Sequence, residues 1–567
     1  MMRSRKPNIS ESTRKNWQKL HPETEKDLTR RANKTGSGKY FLPREYCRDK
    51  KSLAAASMLA GHIISGKIPL ADAFYSLICG IFQRNGLRER AGVQSFFKSC
   101  GKRNLLEYFF NAVIPENEFD FPGLLYQSCL TEGEKNSKGI YYTCEKITRN
   151  MTAAIEPHQS VLDPACGCGA FLLSLPDARP ENLYAIDKDP IAVMICQANL
   201  LLRFPDHDFS SQIVCGNFLR RKHFPQKSFD WIITNPPWGA DKNTACEDTF
   251  SLFWKKAFPQ LKDQGKIRFL FPQSVLNIQR HRKLREHMLQ SGNLEEITLF
   301  DDKFSMVSTN AVSITASNTA PDRQKNILFS TPAGRIDQIP QNIFLRHPDH
   351  AFLNITQAQQ QLIDHLFSRG KFNLASSTWA LGIVTGDNRK KLSPLPAPGM
   401  ERIFSGKDIL PYTLHPETEY YIRYDRKNLQ QSADPAIYRA KEKLVYKFIS
   451  GKPVFAWDNG GHLFLNSANI LIPDIPGMSI KTVLAFLNSD VFSFLYNYLS
   501  GDVKVLKRTL QQLPFPAISP QENLILEELT EKAAGVEPAA HAEIQNVIAR
   551  IFGITPEQRA LLAEFTD

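Results

Sequence analysis

The chain has 567 residues, 42% apolar and 23% charged, a composition that excludes fibrous, collagen-like and strongly disordered classes. Such a length exceeds what one hydrophobic core organises, so two to four domains are expected. The net charge of +12 is uneven: residues 1–50 carry 14 basic and 6 acidic residues, 371–516 carry 18 and 12, and 518–567 carry 3 and 9, a distribution suited to a polyanion held by particular segments.

Met1 to Lys6 is basic, but polar residues follow where a secretion signal has its apolar core. The longest mostly apolar run, Leu53 to Ile64, is interrupted by His62 and is too short to span a bilayer, so a cytoplasmic protein with no membrane partner is expected. The first 50 residues read as a basic arm poor in periodic apolar positions. From Leu53 to about Val113, the positions of Ala71, Phe74, Leu77 and Ile78, and of Phe96 and Phe97, have helical spacing. Residues 1–130 are therefore expected as a basic arm with a helical N-terminal region.

From about Gly139 short apolar strands alternate with helical stretches. Val161-Leu162, Leu183 to Ile186, Ile213 to Cys215, Trp231 to Ile233 and Ile267 to Phe271 are the strand candidates, with crossover helices at Pro190 to Leu202 and Thr249 to Leu261. That alternation predicts a parallel, doubly wound sheet of the α/β class over 131–320. The gap from Phe171 to Leu183, holding Pro176 and Pro180, leaves room only for a truncated helix. Gln264-Gly265 reads as a turn ahead of the last strand.

Two loops in this region carry chemistry. The first, Asp163-Pro164-Ala165-Cys166-Gly167-Cys168-Gly169-Ala170-Phe171, follows a strand, and its glycines let backbone approach a ligand closely. Asp187, twenty residues beyond Gly167, ends the next strand candidate, where a carboxylate accepts both hydroxyls of a ribose. No Walker lysine is present, and the glycine spacing departs from that of hydride-transfer enzymes. All ten cysteines lie at or before Cys246; Cys166 and Cys168 have no second pair to complete a zinc site, so no metal is expected.

The second loop is Asn235-Pro236-Pro237-Trp238, after the apolar run Trp231 to Thr234. An asparagine oxygen and the following carbonyl are two acceptors for the hydrogens of an exocyclic amine, and the prolines fix the backbone between them. Trp238 offers a ring face to a planar group. The pair of motifs, in this order, resembles the gamma-class N6-adenine DNA methyltransferases, which use S-adenosyl-L-methionine. The resemblance implies a Rossmann-like methyltransferase sheet in which Asp163, Ala165, Cys166, Gly167 and Gly169 line the methionine end of the cofactor. Gly139-Ile140-Tyr141-Tyr142-Thr143-Cys144 resembles the family's element that closes over that end, with Cys144 in place of proline, and it assigns Thr143 to the cofactor. Gly216-Asn217-Phe218 falls where the family has Gly-Asp-Phe, which assigns Asn217 and Phe218 to the cofactor adenine. The family further implies adenine as target, a base flipped from the duplex, and Phe304 as the stacking partner opposite Trp238.

Residues 320–370 loosen in pattern, and 321–370 is expected as a linker. Residues 371–516 are rich in aromatics and prolines, an α+β unit with turns at Gly386-Asp387-Asn388 and Asp458-Asn459-Gly460-Gly461. Gly382 to Asn388, Ser405 to Ile409, Leu487-Asn488-Ser489 and Leu513 to Pro516 resemble the TaqI-like target-recognition domain, implying double-stranded DNA as partner and Arg389, Lys390, Lys391 and Lys407 as phosphate contacts. Residues 517–567 form an acidic helical tail. With no Pro-Asp…Glu-x-Lys constellation in the sequence, a cognate restriction endonuclease is expected as a separate chain. The competing readings are N-methylation of RNA or of a protein glutamine, and a non-catalytic DNA-recognition subunit.

Overall fold

A computed structural model describes residues 38–40, 47–115, 119–138, 143–221, 228–239, 247–301, 310–500, 504–535 and 537–564. Most of the basic arm, the 139–142 element and Phe304 fall outside these residues. The chain divides into two units, one ending at Arg346 and the other running from His347 to Asp567.

In the first unit, the helical spacing near the N-terminus becomes α1 (Lys50–Ser65), α2 (Leu70–Arg84) and α3 (Ala91–Cys100), followed by α4 (Phe121–Ser128) and α5 (Glu145–Thr152). Side-chain oxygens of Asp49 and Asp120 accept amide hydrogens at the starts of α1 and α4, which ends the extended chain and begins each helix. The strands are β1 (Val161–Asp163), β2 (Leu183–Asp187), β3 (Ile213–Cys215), β4 (Phe229–Thr234) and β5 (Leu261–Pro272). They continue as β6 (Asn293–Phe300), β7 (Ala311–Ser317), β8 (Asn326–Ser330) and β9 (Ile336–Pro340). One sheet joins all nine in the order β3-β2-β1-β4-β5-β7-β6-β8-β9.

The first five strands are parallel, linked on the β2 side by α6 (Pro190–Arg203) and on the β5 side by α7 (Thr249–Ala257). Between β1 and β2 the crossover helix is reduced to Ala170–Leu173, as the prolines in that gap require. Gln264-Gly265 does not precede the strand but lies inside β5, where Phe229 pairs with Leu261 and Trp231 with Lys266, so an irregularity absorbs the extra residues.

Three boundaries differ from expectation. The N-terminal helices share one apolar core with the sheet: Phe74, Leu77, Phe82 and Phe121 belong to the same cluster as Leu172, Ile195, Trp231 and Ile233. Polar contacts join them as well. Tyr126 Oη donates to Asp189 Oδ2, and Asn199 Nδ2 donates to Asp120 Oδ1 at 2.8 Å and to the Cys168 carbonyl at 3.0 Å. Residues 321–370 are not a bare linker. They supply β8, which pairs with β6 and buries Ile327 and Phe329 on alternate positions, then β9 and helices Gln341–Arg346 and Gln357–Arg369. The C-terminal segment 517–567 is part of the second unit, its helices Pro520–Ala534 and Pro538–Phe552 packing their apolar faces inward.

That second unit holds two four-stranded sheets. One orders Thr378–Leu381, Ala468–Ile472, Lys443–Lys447 and Phe455–Asp458; the other orders Leu392–Ser393, Tyr420–Ile422, Glu401–Phe404 and Leu463–Phe464. A buried Lys443–Asp458 ion pair at 2.5 Å ties two strands of the first, with the Tyr438 carbonyl accepting a further hydrogen from Lys443 Nζ at 2.7 Å. Among the described residues no helix is long and apolar enough to cross a membrane.

Asn199 is the buried polar link between the N-terminal helices and the loop after β1. Replacing it by leucine should cost about 1–3 kcal/mol, the usual scale for an unmatched buried partner, and should speed amide hydrogen exchange at 166–169. Unchanged exchange there, with unchanged thermal stability, would show that the loop is held by its own backbone alone.

Candidate active site

Parallel strands place all their C-terminal ends on one sheet edge, and ligands of such sheets sit where the strand order reverses. Here the chain leaves β1 for β2 on one side and places β4 on the other, so the reversal falls between β1 and β4. Leu162 pairs with Ile232, which brings the loop after Asp163 and the loop after Thr234 side by side.

The loop after β1 turns tightly through backbone that only glycine adopts without strain. Gly167 has φ +51° and Gly169 φ +93°; a Cβ on Gly167 would meet open space, whereas one on Gly169 would lie 2.8 Å from Cys196 Sγ. Gly169 thus serves close packing on α6, and Gly167 leaves a gap for a ligand. Cys166 N–H donates to the Ile186 carbonyl at 3.1 Å and Gly169 N–H to the Cys166 carbonyl at 2.8 Å. Cys166 and Cys168 face the core, while Ala165 and Gly167 are half-buried on the open side.

Asp163 is fully buried. Its Oδ1 accepts the Ala165 amide at 3.1 Å, and its Oδ2 is buried without a well-formed hydrogen bond. Burial pushes this carboxyl up to about 7, against the lowering pull of the Thr234 hydroxyl and the Ala165 amide. A buried carboxylate with an uncommitted oxygen suits a cationic ligand group. Asp187 is held by two backbone donors, Gly167 N–H on Oδ2 at 2.9 Å and Asp189 N–H on Oδ1 at 2.9 Å. Burial raises its carboxyl also, and each oxygen keeps a lone pair for a hydroxyl.

The two residues after Gly216 are placed differently from each other. Asn217 is exposed, and its Oδ1 already accepts the Leu219 amide at 2.9 Å, capping the turn Phe218–Arg220. Phe218 presents no free ring face. It is buried against Phe253 of α7, ring centroids 5.2 Å apart, because an apolar side chain at that turn is better packed under the helix than left at the edge.

The Asn-Pro-Pro-Trp turn is fastened at several points. Asn235 Nδ2 donates to Thr143 Oγ1 at 3.1 Å, while Asn235 Oδ1 is buried with no hydrogen-bond partner among the described residues. Pro236 is buried. Trp238, half-buried, donates from Nε1 to the Leu270 carbonyl at 3.3 Å and packs on the core beside β5. The Gly239 carbonyl accepts Thr249 N–H at 3.1 Å and Thr249 Oγ1–H at 2.7 Å at the start of α7.

The structure therefore brings Asp163, Ala165, Gly167, Asp187, Thr143 and the 235–238 turn to one edge. Sequence reasoning missed the residues that brace them. Arg268 on β5 is buried, donates to the Met151 carbonyl at 3.0 Å and to Thr315 Oγ1 at 2.6 Å, and pairs with Glu296, so the end of α5 is tied to the sheet. An arginine inside an apolar strand run and an asparagine inside the apolar α6 were the available signals. Among the described residues no cluster of His, Cys, Asp and Glu has the form of a metal site. What the edge offers is one free buried acceptor for an amine, a stacking ring, and two carboxylates suited to an ammonium and a ribose.

Comparison with known proteins finds similarity along most of the chain. Residues 123–343 match the model of the N-6 DNA methylase family, and 401–515 match that of the TaqI-like C-terminal specificity domain. The chain is 26% identical over 361 residues to the type II methyltransferase M.VspI of Vibrio sp. (strain 343), covering 60% of this chain and 87% of that relative. It is 31% identical over 217 residues to the type II restriction enzyme and methyltransferase RM.BcgI of Heyndrickxia coagulans and 27% over 190 to M.HincII of Haemophilus influenzae, spanning only 34% and 38% of their lengths. Among solved structures, the type IIL enzyme MmeI in complex with DNA has the same fold, with TM-score 0.62, 12% identity and coverage of 91% and 98% of the two chains.

The state of Asp163 makes a pH prediction. With its carboxyl at about 7, it is largely neutral below that pH and attracts an ammonium weakly there. S-adenosylmethionine affinity should rise from pH 5.5 to 7, by at most about tenfold per unit for one coupled proton, and fall again above about 8 as α-amino groups deprotonate. Asp163→Asn should flatten the acid limb in calorimetric titrations. A wild-type acid limb already flat would remove Asp163 from the cofactor.

Proposed function

The chain is an N6-adenine DNA methyltransferase with a TaqI-like C-terminal specificity domain, and from that premise we propose that residues at the β1–β4 edge transfer a methyl group from S-adenosylmethionine to the N6 of an adenine flipped out of double-stranded DNA. The observation that carries this reading is the unsatisfied, buried Asn235 Oδ1 beside the Asp163 loop. An adenine amine is a poor nucleophile because its lone pair is delocalised into the ring. Acceptors on its hydrogens, Asn235 Oδ1 and the Pro236 carbonyl, favour pyramidalisation and stabilise the positive charge that develops on nitrogen. Trp238 stacks the extruded base, an interaction worth about 1–3 kcal/mol.

S-adenosylmethionine supplies the electrophilic methyl group on a sulfonium. In this reading Asp163 Oδ2 holds its ammonium, Asp187 its ribose hydroxyls, and the open side of Gly167 admits its chain close to the backbone. The fit rests on an uncommitted buried oxygen and on a glycine with empty space where a Cβ would stand.

Recognition of the DNA site belongs, in this reading, to residues 371–516. There the 382–391 and 425–431 segments are locked together: Val384 and Gln431 exchange backbone hydrogen bonds at 2.9 and 3.1 Å, and Lys391 Nζ donates to the Thr385 carbonyl at 2.7 Å and also to that of Asn428. Lys391 is thus a strut rather than a phosphate contact. Arg389, Lys390, Arg426 and Lys427, exposed on those two turns, are suited to the backbone phosphates, as is exposed Lys407. The enzyme works in the cytosol on the nucleoid as the modification half of a restriction–modification system, beside a separate cognate endonuclease, a role drawn from its type II relatives.

Purified protein given methyl-labelled S-adenosylmethionine and duplex DNA should yield N6-methyladenine, and Asn235→Ala should cut turnover by about 100-fold or more with cofactor affinity little changed. N4-methylcytosine, or label found only in RNA or in protein glutamine, would reject the assignment.

A further inference from the structure

We propose that Thr143 is a positioning residue for Asn235, and that its hydroxyl oxygen sets which end of the Asn235 amide meets the target amine. The inference rests on the adenine reading above. A carboxamide has an acceptor at one end and a donor at the other, and the two ends have nearly the same shape. Packing alone does not tell them apart. If Nδ2 faced the adenine amine, two N–H groups would oppose each other and the charge developing on N6 would be destabilised. In the structure Asn235 Nδ2 donates to Thr143 Oγ1 at 3.1 Å, which leaves Oδ1 as the end without a partner among the described residues. Half of the amide is therefore anchored and the other half is left for the substrate.

Thr143 is held in place through the helix that follows it. It is buried directly ahead of α5, whose N-terminal cap is Cys144. Thr148 of that helix contacts Ser174 Oγ at 2.5 Å, Thr152 Oγ1 donates to the Ser174 carbonyl at 3.2 Å, and the helix's last carbonyls accept from Arg268. Arg268 is in turn fixed by Thr315 and Glu296 on the strands beyond β5. The hydroxyl thus reaches the active edge from a helix tied to the sheet at both of its neighbouring layers. Such preorganisation means that the amide need not be oriented anew at each turnover.

This role differs from that of a cofactor ligand, and the two are separable in the full-length protein. Thr143→Val keeps shape and β-branching but removes the acceptor; Thr143→Ser keeps the acceptor. Single-turnover methylation of a duplex at saturating S-adenosylmethionine should fall about tenfold to hundredfold in Thr143→Val, the rate equivalent of one unmatched buried polar group. Cofactor affinity by calorimetry should be unchanged, and Thr143→Ser should recover most of the rate. Thr143→Ala replaces the valine variant if thermal melting shows that valine disturbs folding. Loss of cofactor affinity with an unchanged saturated rate would overturn the proposal in favour of a cofactor ligand, and serine as slow as valine would overturn it in favour of packing. A wild-type enzyme that methylates a different amine overturns the adenine reading, and the Thr143 comparison is then scored on that amine.

Discussion

Everything at the active edge depends on the parallel pairing of β1 with β4. Strands 68 residues apart in sequence at Val161 and Phe229 end at the same level, and each is followed at once by a loop that cannot continue the strand. Asp163 is followed by proline and a glycine-rich turn, and Thr234 by asparagine and two prolines. The pairing of Leu162 with Ile232 therefore determines the separation of the two loops. A slip of one residue would shift one loop along the sheet edge relative to the other and turn every side chain of the slipped strand to the opposite face.

Around this pairing, buried polar groups act as struts. Asn199 joins the N-terminal helices to the Cys168 carbonyl, Tyr126 joins them to Asp189 beside Asp187, and Arg268 joins α5 to the far strands. Each strut satisfies its own hydrogen bonds, so none carries the full penalty of a lone buried polar atom. Among the described residues, the exceptions at the edge are Asp163 Oδ2, Thr234 Oγ1 and Asn235 Oδ1. Unmet hydrogen-bonding capacity at the ends of two adjacent strands is what a pair of ligands approaching from the open side would meet. The N-terminal helices are thus part of the catalytic unit rather than an appendage, consistent with a family match that begins at residue 123.

Much of this was legible in the sequence because local rules and tertiary structure agree there. The five parallel strands contain apolar runs ended by aspartate, glycine, asparagine or proline, and both functional loops lie at such ends. What was not legible depends on partners remote in the chain. Asn235 and Thr143 lie 92 residues apart, and no periodicity announces their hydrogen bond. The burial of Phe218 depends on Phe253, a residue of a different crossover. The stretch 321–370 read as loose because β8 and β9 are short, half-exposed strands whose places, β8 on β6 and β9 on β8 at the edge, are set by the sheet rather than by their own composition. Lys391, one of a run of three basic residues, could not be distinguished by charge from its neighbours; only the two carbonyls it caps set it apart.

The central claim is that the β1 loop holds the methyl donor while Asn235 presents a free acceptor to the amine that receives the methyl. The most direct measurement is a structure of the protein bound to S-adenosylhomocysteine and to a duplex containing its methylation site. The account predicts the target adenine outside the helix, with N6 about 3 Å from Asn235 Oδ1, Nδ2 still on Thr143, and the cofactor's amino group on Asp163 Oδ2. An extruded adenine whose N6 meets groups other than Asn235, or a cofactor lying away from Asp163, would contradict it.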